Sequence, residues 1–141
     1  TLSTAIVRFF NVYGPRNPLI GEFTPVVAKF EVQALEGKPL TIVGDGTQRR
    51  DFTHVSDVVE ANMLAAFTDN EDAFGEVFNV GYGKNYSILE LAQMIGGEYC
   101  HIDARPGEAR HTLADATKIH TILKWNPKIE FADWVMENKD L

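Results

Sequence analysis

The stretch Arg8-Phe9-Phe10-Asn11-Val12-Tyr13-Gly14-Pro15-Arg16 decides how this chain is read. Ala5 to Phe10 is an apolar strand, Asn11 ends it with a polar side chain, and Gly14-Pro15 then breaks the backbone. A buried strand of this kind delivers side chains to a crevice at its carboxyl end, where open α/β sheets bind their ligands. Working outward, Thr24-Pro25 starts a helix with Phe23, Val27, Phe30 and Ala34 on one face, and Gly37 with Pro39 closes it. Leu40 to Val43 reads as a short strand running into the tight turn Gly44-Asp45-Gly46, and Asp51 to Val55 as another. Ser56 or Asp57 caps the following helix, whose buried stripe would be Val59, Met63, Ala66 and Phe67.

Glu76 to Val80 is the next strand. Ser87-Ile88-Leu89-Glu90 has the spacing of a capping box, with Ile88, Leu91, Ala92 and Ile95 behind it and Gly96-Gly97 as the stop. Asp115 caps a fourth helix carrying Ile119, Ile122 and Leu123, which Pro127 ends, and a last short helix puts Phe131, Trp134 and Val135 on one face. Strands alternating with helices make the class α/β. With 141 residues and no linker or internal repeat, residues 1–141 are expected to form a single domain.

Apolar residues at 45% and charged residues at 23% are values of a folded chain. The net charge of −7 offers no general footprint for nucleic acid or an anionic membrane, so any bound phosphate must be held by a few local arginines. No stretch approaches the ~20 apolar residues of a membrane span. Cys100 is the only cysteine, so no internal disulfide is possible; it reads as a buried, inert thiol, and a reducing, cytoplasmic setting is expected. His54, His101, His111 and His120 have no metal-ligand spacing, and no Gly-x-Gly-x-x-Gly follows a strand. None of Tyr13, Tyr82, Tyr86 and Tyr99 has a lysine four residues later.

Three blocks in one order carry a resemblance. Arg8 to Pro15 resembles the R-[YF]-F-N-V-Y-G-P segment of the NAD-dependent sugar-nucleotide epimerase/dehydratase family, the extended short-chain dehydrogenases. Gly44 to Val58 is similar, without a gap, to that family's G-D-G-x-Q-x-R-D-F-x-[YH]-V-x-D-V, and Arg105-Pro106-Gly107-Glu108 followed by Ala114 to Lys118 to its R-[PE]-G-[DE] loop and A-D-x-[ST]-K segment. The resemblance implies the carboxyl-terminal, substrate-binding part of a Rossmann-like enzyme whose amino-terminal dinucleotide-binding half, with its Gly-rich loop and Tyr-x-x-x-Lys pair, is absent. By the same resemblance Arg50 grips the diphosphate of a nucleotide sugar, Arg105 contacts the nucleotide's phosphates, and Glu108 accepts from the ribose hydroxyls. Asn11 donates to a phosphate or sugar oxygen, and Phe9 lies on the nicotinamide side as a cofactor contact. A fixed fork of donors suits a phosphate and an acceptor-only carboxylate suits a diol.

The bland alternatives are a turn arginine at Arg50 and a turn salt bridge between Arg105 and Glu108. Asp51 and Asp57 read as structural, a turn acceptor and a helix cap. Tyr13 reads as a loop-shaping residue, and Asn79 as one that organises backbone. NAD or NADP is expected in the full-length enzyme, with no tight binding and no catalysis by this chain alone. The partners expected are a nucleoside diphosphate sugar and either the missing half or a second copy paired along the bare edge of the first strand. A non-catalytic binding module and an inactive truncated product remain as rival readings.

Overall fold

In chain order the strands are β1 (Ile6–Phe9), β2 (Asn11–Tyr13), β3 (Leu40–Val43), β4 (Arg49–His54), β5 (Val77–Val80), β6 (Asn85–Ser87) and β7 (Tyr99–Ile102). The helices are α1 (Val26–Leu35), α2 (Val55–Phe67), α3 (Ile88–Ile95), α4 (Thr117–Leu123) and α5 (Phe131–Asn138). This computed structural model describes residues 2–21 and 24–139. Phe23, expected on the first helix's apolar face, lies outside the described residues.

The single strand expected at Ala5 to Phe10 is in fact the first of two. β1 pairs in parallel with β5, and after Phe10 the chain changes partner, so that β2 pairs in parallel with β4. Asn11 therefore opens a strand, opposite Phe52, instead of closing one. β4 also pairs antiparallel with β6, and β3 pairs in parallel with β7. β6 and β7 were not expected: three residues give no periodicity, and all four residues of β7 are exposed. Cys100 sits on β7 and is exposed, not buried, because β7 extends β3 at its outer side without a covering layer.

The core lies in two clusters. One gathers Tyr13, Phe30, Ile42, Phe52, Leu91 and Phe131, with Phe52 stacked on Phe131 at 4.1 Å between centroids. The other gathers Val58, Phe78, Val80, Ile119, Leu123 and Trp125. Tyr13, expected only to shape a loop, is fully buried and meets Phe131 edge-on at 4.8 Å.

Local signals explain the helix ends in most cases. Gly37 (φ 64) follows α1, where its N–H and that of Lys38 close onto Ala34 O (3.0 Å) and Gln33 O (2.9 Å). At α3, Ser87 Oγ accepts from the Glu90 N–H and Glu90 accepts from the Ser87 N–H, the expected capping box. Thr24 does not cap α1: Pro25 is the N-cap, and the Thr24 hydroxyl donates to Gly21 O at 2.9 Å. Ala34, expected on the buried face, is exposed. Asp115 accepts from the Thr117 N–H at 3.0 Å from one position before the N-cap, which is Ala116, and Lys124 ends α4 in the left-handed region ahead of Pro127.

α2 departs most from expectation. It starts directly from β4, and neither Ser56 nor Asp57 caps it; His54 Nδ1 accepts from the Ser56 N–H at 3.2 Å. Asp57 is buried instead, accepting from the Ile129 N–H at 3.1 Å. The helix rests Val58 and Ala61 on β1, β2 and β4, while the stripe expected to be buried faces out: Val59 is 55%, Met63 52% and Phe67 78% exposed, and Ala66 is exposed too. The cause is composition. α2 is apolar nearly all round, so helical spacing alone does not choose its inner face. Among the described residues, β1 has β5 on one side and no strand on the other.

Candidate functional site

Strand alternation separates the two arginines that open β4. Arg49 turns toward β6 and α3, where its Nε donates to Asn85 Oδ1 at 2.9 Å and its guanidinium meets the Glu90 carboxylate at 3.0 Å. Arg50 points to the other face. Its Nη1 donates to Arg49 O at 2.9 Å and its Nη2 to Glu108 Oε1 at 3.0 Å. The Arg50 side chain is 11% exposed and that of Glu108 32%. Arg50 is thus no free turn arginine, and Glu108 pairs with it rather than with Arg105.

Asn11, Arg50, Arg105 and Glu108, all expected at the site, line a single cleft of about 680 Å³. Four segments distant in sequence meet there: β2, β4, the turn at Arg105–Glu108, and the amino-terminal part of α1. Lys29 of α1 and Val43 of β3 complete the wall. The sequence reading missed Lys29; its position on the first turns of a helix that begins beside the loop after β2 was the available signal. Phe9 is not brought into this cleft. It lies half-exposed at the end of β1.

Buried acids hold these segments in place. Asp51 is fully buried and accepts three backbone N–H groups: Tyr82 at 2.9 Å on Oδ1, and Gly83 at 2.9 Å and Ala114 at 3.0 Å on Oδ2. Burial pushes its carboxyl upward, and the three donors pull it back. One side chain thereby ties β4 to the β5–β6 loop and to the segment that leads back from Glu108. Arg49 N–H to Arg110 O (2.9 Å) and Thr112 N–H to Arg49 O (3.1 Å) lay that segment beside β4. Asn79 accepts from Arg8 Nε at 3.0 Å and donates to Asp115 O at 3.2 Å, joining β1, β5 and the entry to α4. Gly14 is also constrained, since a Cβ there would stand 2.7 Å from a Val55 methyl carbon.

The arrangement is suited to holding an anion: cations from three segments, an amide, and one carboxylate acceptor at the edge. Among the described residues no group of three or more His, Cys, Asp or Glu is placed to hold a metal, and no helix is long and apolar enough to cross a membrane.

Comparison with known proteins places the fold in a family. A family model described as "NAD dependent epimerase/dehydratase family" matches residues 1–81. The chain belongs to the NAD-dependent epimerase/dehydratase family. It is 33% identical over 148 residues to UDP-N-acetyl-alpha-D-glucosaminuronate decarboxylase of Bacillus cytotoxicus, covering 96% of this chain and 45% of that one. The UDP-glucuronic acid 4-epimerase of Bacillus cereus, solved with UDP-glucuronic acid and NAD, superposes with a TM-score of 0.85 at 35% identity over 96% of this chain and 44% of that chain. The UDP-glucose 4-epimerase of Thermotoga maritima, solved with UDP-glucose, gives 0.87 at 34% identity over 99% and 45%. The chain thus spans a little under half the length of these family members, and the part matched is their carboxyl-terminal portion.

Proposed function

We propose that this chain is the nucleotide-sugar-binding part of an NAD-dependent sugar-nucleotide epimerase or decarboxylase, holding the nucleoside diphosphate so that the sugar faces the nicotinamide. The observation that carries the reading is the convergence of Asn11, Arg50, Arg105 and Glu108 on one cleft. In this assignment Arg50 and Arg105 bind the diphosphate, Asn11 donates to a phosphate or sugar oxygen, and Glu108 accepts from the ribose. Phe9, outside the cleft, faces the nicotinamide in the whole enzyme. What the chain supplies to a reaction is positioning, a large part of what a two-substrate reaction requires.

The pyrophosphate of NAD is assigned to the other part of the enzyme, with Phe9 the one contact this chain is proposed to make. α2 and α3 follow β4 and β6 with no intervening residue, so neither offers the Gly-rich turn at a helix start that a dinucleotide pyrophosphate uses. The 141 residues alone are expected to leave NAD unreduced with any sugar nucleotide. The exposed edge of β1 and outer face of α2 form the surface proposed to meet the other half, or a second copy in its place.

Titration calorimetry with UDP and UDP-glucuronic acid tests the reading. Charge-assisted hydrogen bonds contribute about 1.5–3 kcal/mol each, so Arg50→Ala or Arg105→Ala is expected to weaken binding roughly ten- to a hundredfold. Binding that neither substitution alters would refute the site.

A further inference from the structure

Arg50 and Glu108 occupy each other in the cleft, although the function proposed above gives each a different task once a nucleotide is present. We propose that this pair is a ligand-opened latch that makes the cleft select nucleoside diphosphates over bare phosphate anions. The incoming diphosphate takes Glu108's place on Arg50, and the released carboxylate turns to the ribose hydroxyls. This inference rests on the reading of the cleft as a nucleoside diphosphate site.

Three observations support it. First, both terminal nitrogens of Arg50 are already engaged, Nη1 by Arg49 O and Nη2 by Glu108, and the side chain is mostly buried, so few approaches to it remain. A phosphate that approaches Arg50 through Nη2 meets the Glu108 carboxylate, a like charge on the same nitrogen, and pairs there only by displacing it. Second, the displaced partner is able to leave. Glu108 is the more exposed member and ends a short turn whose own closure, Glu108 N–H to Arg105 O at 3.4 Å, is long. Gly107 within that turn has φ 76 and open space around it. Third, the exchange leaves no buried charge unpaired, because phosphate replaces carboxylate on Arg50 as the carboxylate moves outward.

Selectivity follows from the return on that displacement. An anion without a ribose that takes Glu108's place on Nη2 leaves the carboxylate with only water. A nucleotide breaks the same pair but offers the carboxylate two hydroxyl donors. Glu108 thus penalises pyrophosphate and is close to neutral for, or favours, a nucleoside diphosphate.

The test uses the 15N-labelled 141-residue chain, titrated with inorganic pyrophosphate and with UDP and followed by NMR. In Glu108→Gln, pyrophosphate should bind about five- to tenfold more tightly while UDP is unchanged or weaker. The ratio of the two dissociation constants therefore collapses toward one. Glu108→Ala should give the same direction, and the Arg50 Nε resonance should shift on adding pyrophosphate as it does on removing the carboxylate. Binding that depends on Arg50 but is equally weakened for both ligands by Glu108→Gln, or unaltered for pyrophosphate, would overturn the latch alone. Absence of any Arg50-dependent binding of either ligand would overturn the nucleotide reading, and the latch with it.

Discussion

Asp51→Ala should be among the most damaging single substitutions in this chain, and its cost can be worked out from three distances. The carboxylate, fully buried, accepts from Tyr82, Gly83 and Ala114 at 2.9, 2.9 and 3.0 Å. Removing it orphans three donors, and a buried unsatisfied donor costs about 1–3 kcal/mol. Gly83 is exposed and recovers a water, whereas Ala114 is buried and does not. Loss of a buried negative charge returns some desolvation energy. The net expectation is about 3–5 kcal/mol, a large part of the ~5–15 kcal/mol that holds a domain together. Asp51→Asn keeps one acceptor for two of the three donors and should cost about 1–3 kcal/mol. Urea unfolding followed by tryptophan fluorescence is the assay, since Trp125 is buried in the core. Asp51→Ala within 1 kcal/mol of the parent would refute the view that this side chain ties the segments of the cleft together.

Two further outcomes are expected. Burial holds His54 below its ordinary value of 6.5, so the neutral ring that caps α2 contributes stability present above that value and lost as pH falls through the lowered one. Unfolding free energy should drop by about 1 kcal/mol from this cap between pH 8 and pH 5, and His54→Asn, which retains an acceptor that does not titrate, should flatten that part of the profile; an unchanged profile would remove His54 from the account. Met63→Lys and Phe67→Glu should alter stability by no more than about 0.5 kcal/mol while reducing self-association in sedimentation. Loss of folding in either would mean that the outer face of α2 is part of the core after all.

Much of this fold was legible where a backbone signal had one solution. Gly37 after α1, Ser87 and Glu90 at α3, and the turn after β3 each combine a residue type with a geometry that few alternatives satisfy. The α2 stripe was not legible, because Val58 and Val59, or Ala61 and Met63, carry equal weight in a helical pattern. What selected the inner face was Asp57, a polar residue drawn inward by Ile129 N–H, together with Ala61, small enough to sit against the sheet. Sequence pattern would place both outside. At the cleft, the four side chains were legible through motif likeness, but their pairing was not. Nearness along the chain favours Arg105 with Glu108, whereas the structure joins Glu108 to a residue 58 positions away.

The block from Arg49 to Asp57 shows why a stretch of sequence can be so tightly constrained while only one of its residues lines the cleft. Arg50 alone of these lines the cleft. Arg49 clamps Asn85 and Glu90, Asp51 gathers three amides, Phe52 stacks on Phe131, His54 caps α2, and Asp57 fixes the segment before α5. Because β4 passes into α2 with no loop between them, a one-residue shift would turn every one of these side chains to the wrong face at once. The spacing is therefore dictated by the strand and helix that hold Arg50, and the guanidinium's place in the cleft is as fixed as the core behind it. Precision of this kind is what a phosphate site needs, since a bidentate contact tolerates little misplacement.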